Sequence, residues 1–342
     1  MNILVFCISI IFFYIVSIFF RKKKYLNNFS GDEHQNFTTD KNSPLIGGLF
    51  ILIISLILFH KYNIFFLIFL IIIFILGLFS DLKIVSSPKK RFLLQIIIVF
   101  FFAYFLKLEI ASTRIFIFDD FLKFEIFNII FVSFCIMILV NGSNFIDGLN
   151  GLLLGYYLLV LAALLQSDSQ ILGFLKSDDL VYFSTFLLIF LIFNFFNLFF
   201  LGDNGAYLLG FIISFILIEV YKENPQISPY YIILLLWYPC FELLFSIIRK
   251  FNLNYSPIRP DINHFHQLIY YLIKNKFNFN SLKSNNISSI LILLYNMVPI
   301  FLGSQNIYNT KFQVMMLLVN IFFYVVTYYY LYKKNLFSSI EK

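Results

Sequence analysis

The chain has 342 residues, of which 61% are hydrophobic and 13% charged, and its formal net charge is +7. Soluble domains are typically about 45 to 50% apolar, so this composition excludes an ordinary soluble domain and indicates a membrane protein. Three cysteines lie inside apolar segments without paired spacing, which argues against a disulfide or a zinc site. We expect the lipid bilayer, and no nucleic acid, among its partners.

Eleven hydrophobic segments are candidates for helices that cross the hydrocarbon core. They cover residues 2–20, 44–60, 62–79, 92–107, 126–140, 149–165, 180–201, 206–221, 229–248, 287–303 and 312–332. The sequence therefore predicts an all-α, polytopic integral membrane protein of about eleven transmembrane helices, with residues 1–342 forming one domain. Four basic residues follow the first segment, which favours a retained helix over a removable signal peptide.

The basic residues divide unequally between the two sets of alternating connections. The set formed by 21–43, 80–91, 141–148, 201–205, 249–286 and the C-terminal tail holds 18 of the 25 Lys and Arg residues. Because cytoplasmic loops carry the excess of positive charge, we expect this set in the cytoplasm. The N-terminus is then outside and the C-terminus inside, in a plasma membrane.

The first cytoplasmic connection leads into Pro44-Leu-Ile-Gly47-Gly48. The glycine pair opens the second helix, where small residues let another helix or a ligand approach closely. Helix packing and ligand binding are both open interpretations of this pair.

The second connection combines one acid with a basic cluster. Asp81 ends a hydrophobic segment, where a charge is costly to place. Ser87 and Pro88 form a reasonable N-cap and first residue for the fourth helix. The amides at the start of that helix, with Lys89 and Arg91, are candidates for phosphate binding.

A polar, glycine-broken run, NGSNFIDGLNG at residues 141–151, lies between two long hydrophobic segments. Its glycines permit sharp turns and close approach of a ligand, and Asn144, Asp147 and Asn150 add amide and carboxylate groups. A simple turn usually needs only two or three such residues. The length of the run therefore favours a functional site, while an ordinary turn between two membrane helices stays the alternative.

The fourth connection places Asp203 between Gly202 and Gly205. The same four residues form a good hairpin turn, and Asp203 is also a candidate N-cap for a helix predicted to begin near residue 206. Capping and metal binding do not exclude each other.

The last cytoplasmic connection is the longest and contains Arg259, Asp261, His264 and His266. Without cysteine or a clear third ligand a zinc site is not favoured. Arg259 and the two histidines are better suited to phosphate oxygens. Glu242, in the ninth predicted span, and Arg249, seven residues further on at the start of this connection, are expected to form a structural pair on one helix face.

Polar motifs are concentrated on the cytoplasmic side. A transporter should carry polar groups in mid-membrane and on both faces, so the one-sided arrangement favours chemistry at the inner surface. Three carboxylates (Asp81, Asp147 and Asp203), basic residues and a His pair are typical of transfer at phosphorus with Mg²⁺.

These motifs resemble those of the polyprenyl-phosphate N-acetylhexosamine-1-phosphate transferases, and the resemblance covers nearly the whole chain. The matching stretches are Pro44-x-x-Gly47-Gly48, Asp81 with Ser87-Pro88-Lys89-x-Arg91, Asn144-x-x-Asp147-Gly148-x-x-Gly151, Phe200-Leu-Gly202-Asp203-x-Gly205, and Pro260-Asp261-x-x-His264-x-His266. Each is short, but five in this order are specific.

The resemblance implies transfer of a sugar-1-phosphate from a UDP-N-acetylhexosamine to undecaprenyl phosphate in the bacterial inner membrane, with Mg²⁺ or alternatively Mn²⁺. By position it implies that Asp203 binds the metal and that Asp147, Gly148 and Asn150 lie at the nucleotide pocket. It likewise implies that His264 and His266 meet the donor's phosphates. A monomer and a homodimer are both open as the oligomeric state.

This sequence departs from the family pattern at three positions. Ser80 stands before Asp81 where the family usually has a second acid, which leaves the general base or nucleophile unassigned. Asn150 stands where an Asp is common, and Asn194 is one residue closer to Asp203 than the matching family Asn. A flippase for lipid-linked sugars and a catalytically silent relative are the alternative functions.

Overall fold

The computed structural model describes residues 3–27, 43–166, 177–254, 256 and 263–340. Over these ranges it consists of fourteen helices, and the one β-type contact is a single antiparallel bridge between Asn27 and Pro44. The first seven helices are α1 (Ile3–Lys23), α2 (Gly47–Leu58), α3 (Ile64–Asp81), α4 (Pro88–Leu106), α5 (Phe116–Leu122), α6 (Glu125–Ile146) and α7 (Leu152–Gln166). The remaining seven are α8 (Ser177–Phe195), α9 (Gly202–Glu223), α10 (Pro229–Leu235), α11 (Trp237–Asn252), α12 (Phe265–Phe277), α13 (Ser281–Ser304) and α14 (Thr310–Ile340). The prediction of an all-α protein is confirmed for these residues.

Within the part of the chain that the structure describes, six helices are long and apolar enough to cross a membrane: α3, α6, α8, α9, α13 and α14. The pair α10 and α11 adds a seventh if it counts as one span, although the two helices are bent by 77°. Each of the eleven predicted segments falls on a helix or on this bent pair. The protein is therefore a multi-pass membrane protein, and the span count of eleven stays a prediction.

The bend between α10 and α11 has a local cause. Pro239 lies in the first turn of α11 and has no backbone N–H to donate to the carbonyl of Leu235. Its ring also crowds that carbonyl. The helix therefore ends at Leu235 and restarts in a new direction at Trp237.

Helix α9 is the centre of the bundle, since 94% of its apolar 18-residue stretch is buried inside the protein. It packs mainly against α3, α6 and α2. Close approach depends on glycines, because a Cβ at Gly77 of α3 would lie 2.4 Å from Asn204 Cα and one at Gly48 would lie 2.5 Å from Gly205 N. A larger residue at either position would push α3 or α2 away from the start of α9.

The elements that carry the polar motifs meet at this end of α9. The last residue of α3 is Asp81, and α4 begins at Pro88, three residues before Arg91. Helix α6 ends just before Asp147, and α12 begins just after His264. The packing of α3 and α6 against α9 therefore brings distant parts of the sequence into one site.

Candidate active site

Asp203, in the first turn of α9, is the centre of the polar site. Arg91 Nη1 donates to Asp203 Oδ2 at 2.6 Å, and Asn144 Nδ2 donates to Oδ1 at 2.6 Å. Ser80 Oγ donates to the same Oδ2, and the Tyr207 hydroxyl lies 3.5 Å from it. Both carboxylate oxygens thus accept from side chains of other helices, while 24% of the Asp203 side chain remains exposed.

Asp81 caps α9 from the neighbouring helix. The backbone N–H of Asp203 donates to Asp81 Oδ1 at 2.9 Å, and that of Asn204 donates to Oδ2 at 3.0 Å. A helix N-terminus has unpaired N–H groups and a partial positive charge, so a carboxylate stabilises it. The interpretation of Asp203 as the cap is therefore wrong, and so is the start near residue 206, because α9 begins at Gly202.

Gly202 makes this capping arrangement sterically feasible. Its φ of +71° lies in the left-handed region that glycine adopts without strain. A Cβ at this position would lie 2.8 Å from Asp81 Oδ2. Any other residue would both strain the backbone and crowd the capping carboxylate.

The end of α6 supplies the third carboxylate. Asp147 directly follows the last residue of α6. Burial, and then the charges of Asp203 and Asp81, raise the pKa of the Asp147 carboxyl well above its ordinary value. This electrostatic influence indicates that the three predicted carboxylates share one region of the molecule.

The two histidines lie against the end of α6. Their rings are stacked with centroids 5.6 Å apart and planes 8° apart, and His264 meets the ring of Phe145 edge-on at 5.2 Å. A Cβ at Gly148 would lie 2.4 Å from His266 Nε2. The absence of a side chain at Gly148 therefore lets the histidine pair approach the segment that carries Asp147.

Sequence comparison agrees with this convergence of motifs. The sequence model of the family described as Glycosyl transferase family 4 matches residues 63–221, a range that contains all three carboxylates. Over this range, which is less than half of the chain, the sequence is similar to glycosyl transferase family 4. Every residue that bonds to the Asp203 carboxylate in the described structure also lies within the matched range.

Three curated proteins that are similar to this chain carry closely related names. The "Undecaprenyl-phosphate alpha-N-acetylglucosaminyl 1-phosphate transferase" of Thermotoga maritima is 27% identical over 261 residues, covering 74% of this chain and 76% of the relative. The "Probable undecaprenyl-phosphate N-acetylglucosaminyl 1-phosphate transferase" of Bacillus subtilis is 29% identical over 260 residues, covering 72% and 68%. The Escherichia coli K12 protein with the first of these names is 28% identical over 146 residues, covering 40% and 39%.

Ser80, one of the three departures from the pattern described above, has a defined place in the site. Arg91 donates to Ser80 Oγ, and Ser80 donates to Asp203. A hydroxyl can accept and donate at once, so Ser80 links the cation to the carboxylate without a charge of its own. The site of this protein therefore carries one negative charge fewer than an acid at position 80 would give it.

The side chains that the structure describes do not form a ready metal cage. No group of three or more His, Cys, Asp or Glu residues is placed to hold a metal ion within those ranges. Mg²⁺ usually keeps several waters and binds one or two carboxylates together with substrate phosphates. The part-exposed Asp203 fits such an open site once Arg91 no longer bonds to it. The assignment of Asp203 as a metal ligand stays a prediction.

The predicted substrate-binding residues occupy different environments. Gly47 and Gly48 are buried against the start of α9, and Gly47 N donates to Phe200 O at 3.1 Å, so the helix-packing interpretation of this pair is confirmed. Lys89 is exposed at the start of α4. Arg259 lies outside the described residues. The substrate contacts of these residues stay predictions.

Asn150 and Asn194 form hydrogen bonds inside the protein. Asn150 Nδ2 donates to Asn197 Oδ1 at 2.6 Å, and Asn194 Oδ1 accepts from Gly151 N at 2.5 Å. Asn194 Nδ2 also donates to Phe199 O at 2.9 Å. Both side chains are buried and bind the connections around α8, so their predicted role in substrate binding is untested.

The expected pair of Glu242 with Arg249 is wrong. Glu242 Oε1 accepts from His264 Nδ1 at 3.0 Å, and its Oε2 accepts from the Tyr324 hydroxyl at 2.6 Å. Arg249 instead donates to the Asn263 carbonyl and to the Tyr328 hydroxyl. Tyr324 and Tyr328 belong to no sequence motif, and the one signal that indicates them is their spacing of four residues in a tyrosine-rich helix.

Proposed function

We propose that the protein transfers a sugar-1-phosphate from a UDP-N-acetylhexosamine to undecaprenyl phosphate and releases UMP. The observation that carries the proposal is the convergence of three carboxylates, Arg91 and the His pair at one end of α9. The names of the relatives support the same reaction. We further propose that the product starts a cell-envelope polysaccharide such as O-antigen or cell wall.

In this reaction an oxygen of the lipid phosphate attacks the donor phosphorus that bears the sugar. The bond between that phosphorus and the oxygen bridging the two donor phosphates breaks, and UMP leaves with that oxygen. Donor and acceptor are both anionic, so cationic groups must offset their repulsion. Arg91 and the two histidines are the groups of this chain proposed to contact phosphate oxygens.

A bound Mg²⁺, held by Asp203, would stabilise the charge that develops on the leaving UMP. In the described structure the Arg91 guanidinium neutralises Asp203. A substrate diphosphate offers Arg91 a stronger anionic partner than one carboxylate, and bidentate contact suits its planar geometry. We therefore propose that Arg91 moves from Asp203 to phosphate when substrates bind.

The direct test is product analysis with purified protein. UDP-N-acetylglucosamine and related UDP-N-acetylhexosamines are supplied one at a time with undecaprenyl phosphate and Mg²⁺. We expect UMP release and, by mass spectrometry, a lipid diphosphate that carries the sugar. A flippase or a silent relative would release no UMP from any donor of the panel.

We also propose that the site faces the cytoplasm. Ser256 is an exposed residue between α11 and α12, and Asp120 is an exposed residue of α5. The two lie in connections predicted on opposite sides of the membrane. In a background without the three native cysteines, Ser256→Cys should resist an impermeant thiol reagent in intact cells and Asp120→Cys should react. The reverse labelling pattern would overturn the proposed orientation.

A further inference from the structure

A buried carboxylate lies directly behind His264. Glu242 of α11 is fully buried, and its Oε1 accepts from His264 Nδ1 at 3.0 Å and from the backbone N–H of Phe265 at 3.2 Å. Its Oε2 accepts from the Tyr324 hydroxyl of α14 at 2.6 Å. One carboxylate thus joins three helices at the first residues of α12.

This contact determines which imidazole nitrogen carries a proton. A nitrogen that faces a carboxylate acts as a donor, so Nδ1 of His264 is protonated whenever the Glu242 carboxylate is ionised. Any contact between the His264 ring and a ligand is then made through Nε2. Carboxylates that orient functional histidines in this way are common in metal and catalytic sites.

A second contact set holds the residue before His264. Arg249, on the same face of α11, donates to the carbonyl of Asn263, and the Tyr328 hydroxyl donates to that carbonyl at 2.9 Å. Tyr328 lies one helical turn after Tyr324 on α14. Helices α11 and α14 thus each contribute two side chains. Glu242 and Tyr324 hold His264, and Arg249 and Tyr328 hold the preceding residue, Asn263.

We infer that Glu242 and Tyr324 are positioning residues that fix the ring orientation and the protonated nitrogen of His264 for contact with the donor's diphosphate. The inference rests on the proposed transferase function. It assigns a functional role to α14, which lies outside the range matched by the family model. It also explains why an acid is buried at a site where an unpaired charge would be costly.

The experiment uses Glu242→Gln and Tyr324→Phe in the full-length, detergent-purified protein. Gln keeps the size and an acceptor for Nδ1 but removes the charge. Phe keeps the ring, which packs on Trp237 and Phe265, and removes only the hydroxyl. Tyr330→Phe, an exposed tyrosine of the same helix, is the matched control.

We expect Glu242→Gln to lower kcat/KM for the UDP-sugar roughly 10- to 100-fold, the range found for residues that orient ligating histidines. Tyr324→Phe should lower it by a smaller factor, and Tyr330→Phe should leave it unchanged. The KM for undecaprenyl phosphate should change little in all three, because the proposed contact is with the donor. A structural defect would instead reduce activity with both substrates in parallel with thermal stability.

A spectroscopic measurement tests the contact without activity. The chain has four histidines, so ¹⁵N-histidine labelling gives few signals, and His264→Gln identifies the one of interest. We expect protonated Nδ1 in the wild type and a mixture of tautomers in Glu242→Gln. If Glu242→Gln fails to fold, the kinetic effect of Tyr324→Phe decides.

Two results would overturn the inference: unchanged donor kinetics in both variants, or a wild-type His264 signal with unprotonated Nδ1. Failure of the proposed function has a separate signature, because a wild-type protein that releases no UMP from any donor is recognised before variants are compared.

Discussion

Two arginines near opposite ends of α4 have different hydrogen-bond acceptors. Arg91, in the first turn of α4, bonds to one carboxylate and one hydroxyl, both on side chains. Arg114, eight residues after α4 ends, donates to the carbonyls of Gln226, Ile227 and Tyr308 and to the Thr310 hydroxyl. A helix of 19 residues is about 28 Å long, so the two sites are well separated.

The difference lies in the charge of the acceptors. The carboxylate that binds Arg91 would also bind another cation, and phosphate would also bind Arg91, so this contact can be exchanged during a reaction. Backbone carbonyls are neutral, and the four acceptors of Arg114 lie in connections around α10 and α14. Arg114 therefore serves the fold, whereas Arg91 is suited to chemistry.

The largest effect is expected from Asp203→Asn, which removes the charge that binds Arg91. We expect the rate to fall about a hundredfold or more, the scale of losing one electrostatic stabiliser, with a weaker response to Mg²⁺. Folding should survive, because a flip of the Asn144 amide can match the new side chain. Steady-state kinetics across a Mg²⁺ series measures both changes.

The control for Asp203→Asn is Asp120→Asn, since Asp120 is exposed and pairs only with Lys123 among the described residues. Near-wild-type turnover and unchanged Mg²⁺ dependence in Asp203→Asn would exclude Asp203 as metal ligand. Asp81 or Asp147 would then be the leading candidate.

Arg91→Ala should act mainly on binding. We expect the KM for one phosphorylated substrate to rise about tenfold, equivalent to about 1.4 kcal/mol, with a smaller change in kcat, because an anchoring cation binds ground and transition states alike. The Mg²⁺ concentration for half-maximal rate should fall, since Asp203 loses its competing cation. Lys90→Ala, an exposed neighbour, is the control, and unchanged KM values for both substrates would contradict the role.

The carboxylates of the site around Asp203 were largely predictable from sequence. The hydrogen-bond partners of these carboxylates were not. Asp81, Asp147 and Asp203 each stand at the end of an apolar segment, where charge is costly, so their location alone indicated function. The partner of each acid depends on helix packing. Asp81 rather than Asp203 caps α9 because Gly77 lets α3 approach α9 closely, and no periodicity in the sequence encodes that choice.

The same limit applies to longer separations. Glu242 was paired with Arg249 from helical spacing, but the carboxylate binds His264 and Tyr324, which lie 22 and 82 residues away. The contact between Arg114 and Thr310 joins residues 196 apart. Such contacts follow from the arrangement of the whole bundle, which short motifs do not contain.

Arg114→Ala should lower stability without changing chemistry. The side chain is exposed, so we expect a loss of about 1 to 3 kcal/mol from several hydrogen bonds to one charged group, seen as a lower thermal midpoint in detergent. The KM and kcat of the folded protein should stay at wild-type values. Lys123→Ala, which removes the exposed ion pair with Asp120, is the control, because exposed ion pairs contribute little to stability. A kinetic defect in Arg114→Ala would contradict the distinction between the two arginines.

The smallest effect is expected from Asp119→Asn, in the segment that orients Arg114. Desolvation alone would raise the pKa of the Asp119 carboxyl, but hydrogen bonds from Ser112 and Thr113 outweigh it and hold this pKa below its ordinary value. The ionised form of Asp119 therefore stabilises the folded state more than the protonated form does. Its stabilisation is complete above the unfolded-state pKa of about 3.9 and is lost as the pH falls through the lower folded-state pKa.

Thermal midpoints of the wild type and Asp119→Asn should therefore differ at neutral pH and converge below about pH 4. The Asp119 contacts position the turn from which Arg114 reaches its four acceptors. The fall in thermal midpoint that Asp119→Asn causes at neutral pH should therefore be smaller in an Arg114→Ala background. Independent, additive losses in the double variant would show that Asp119 stabilises only its own turn.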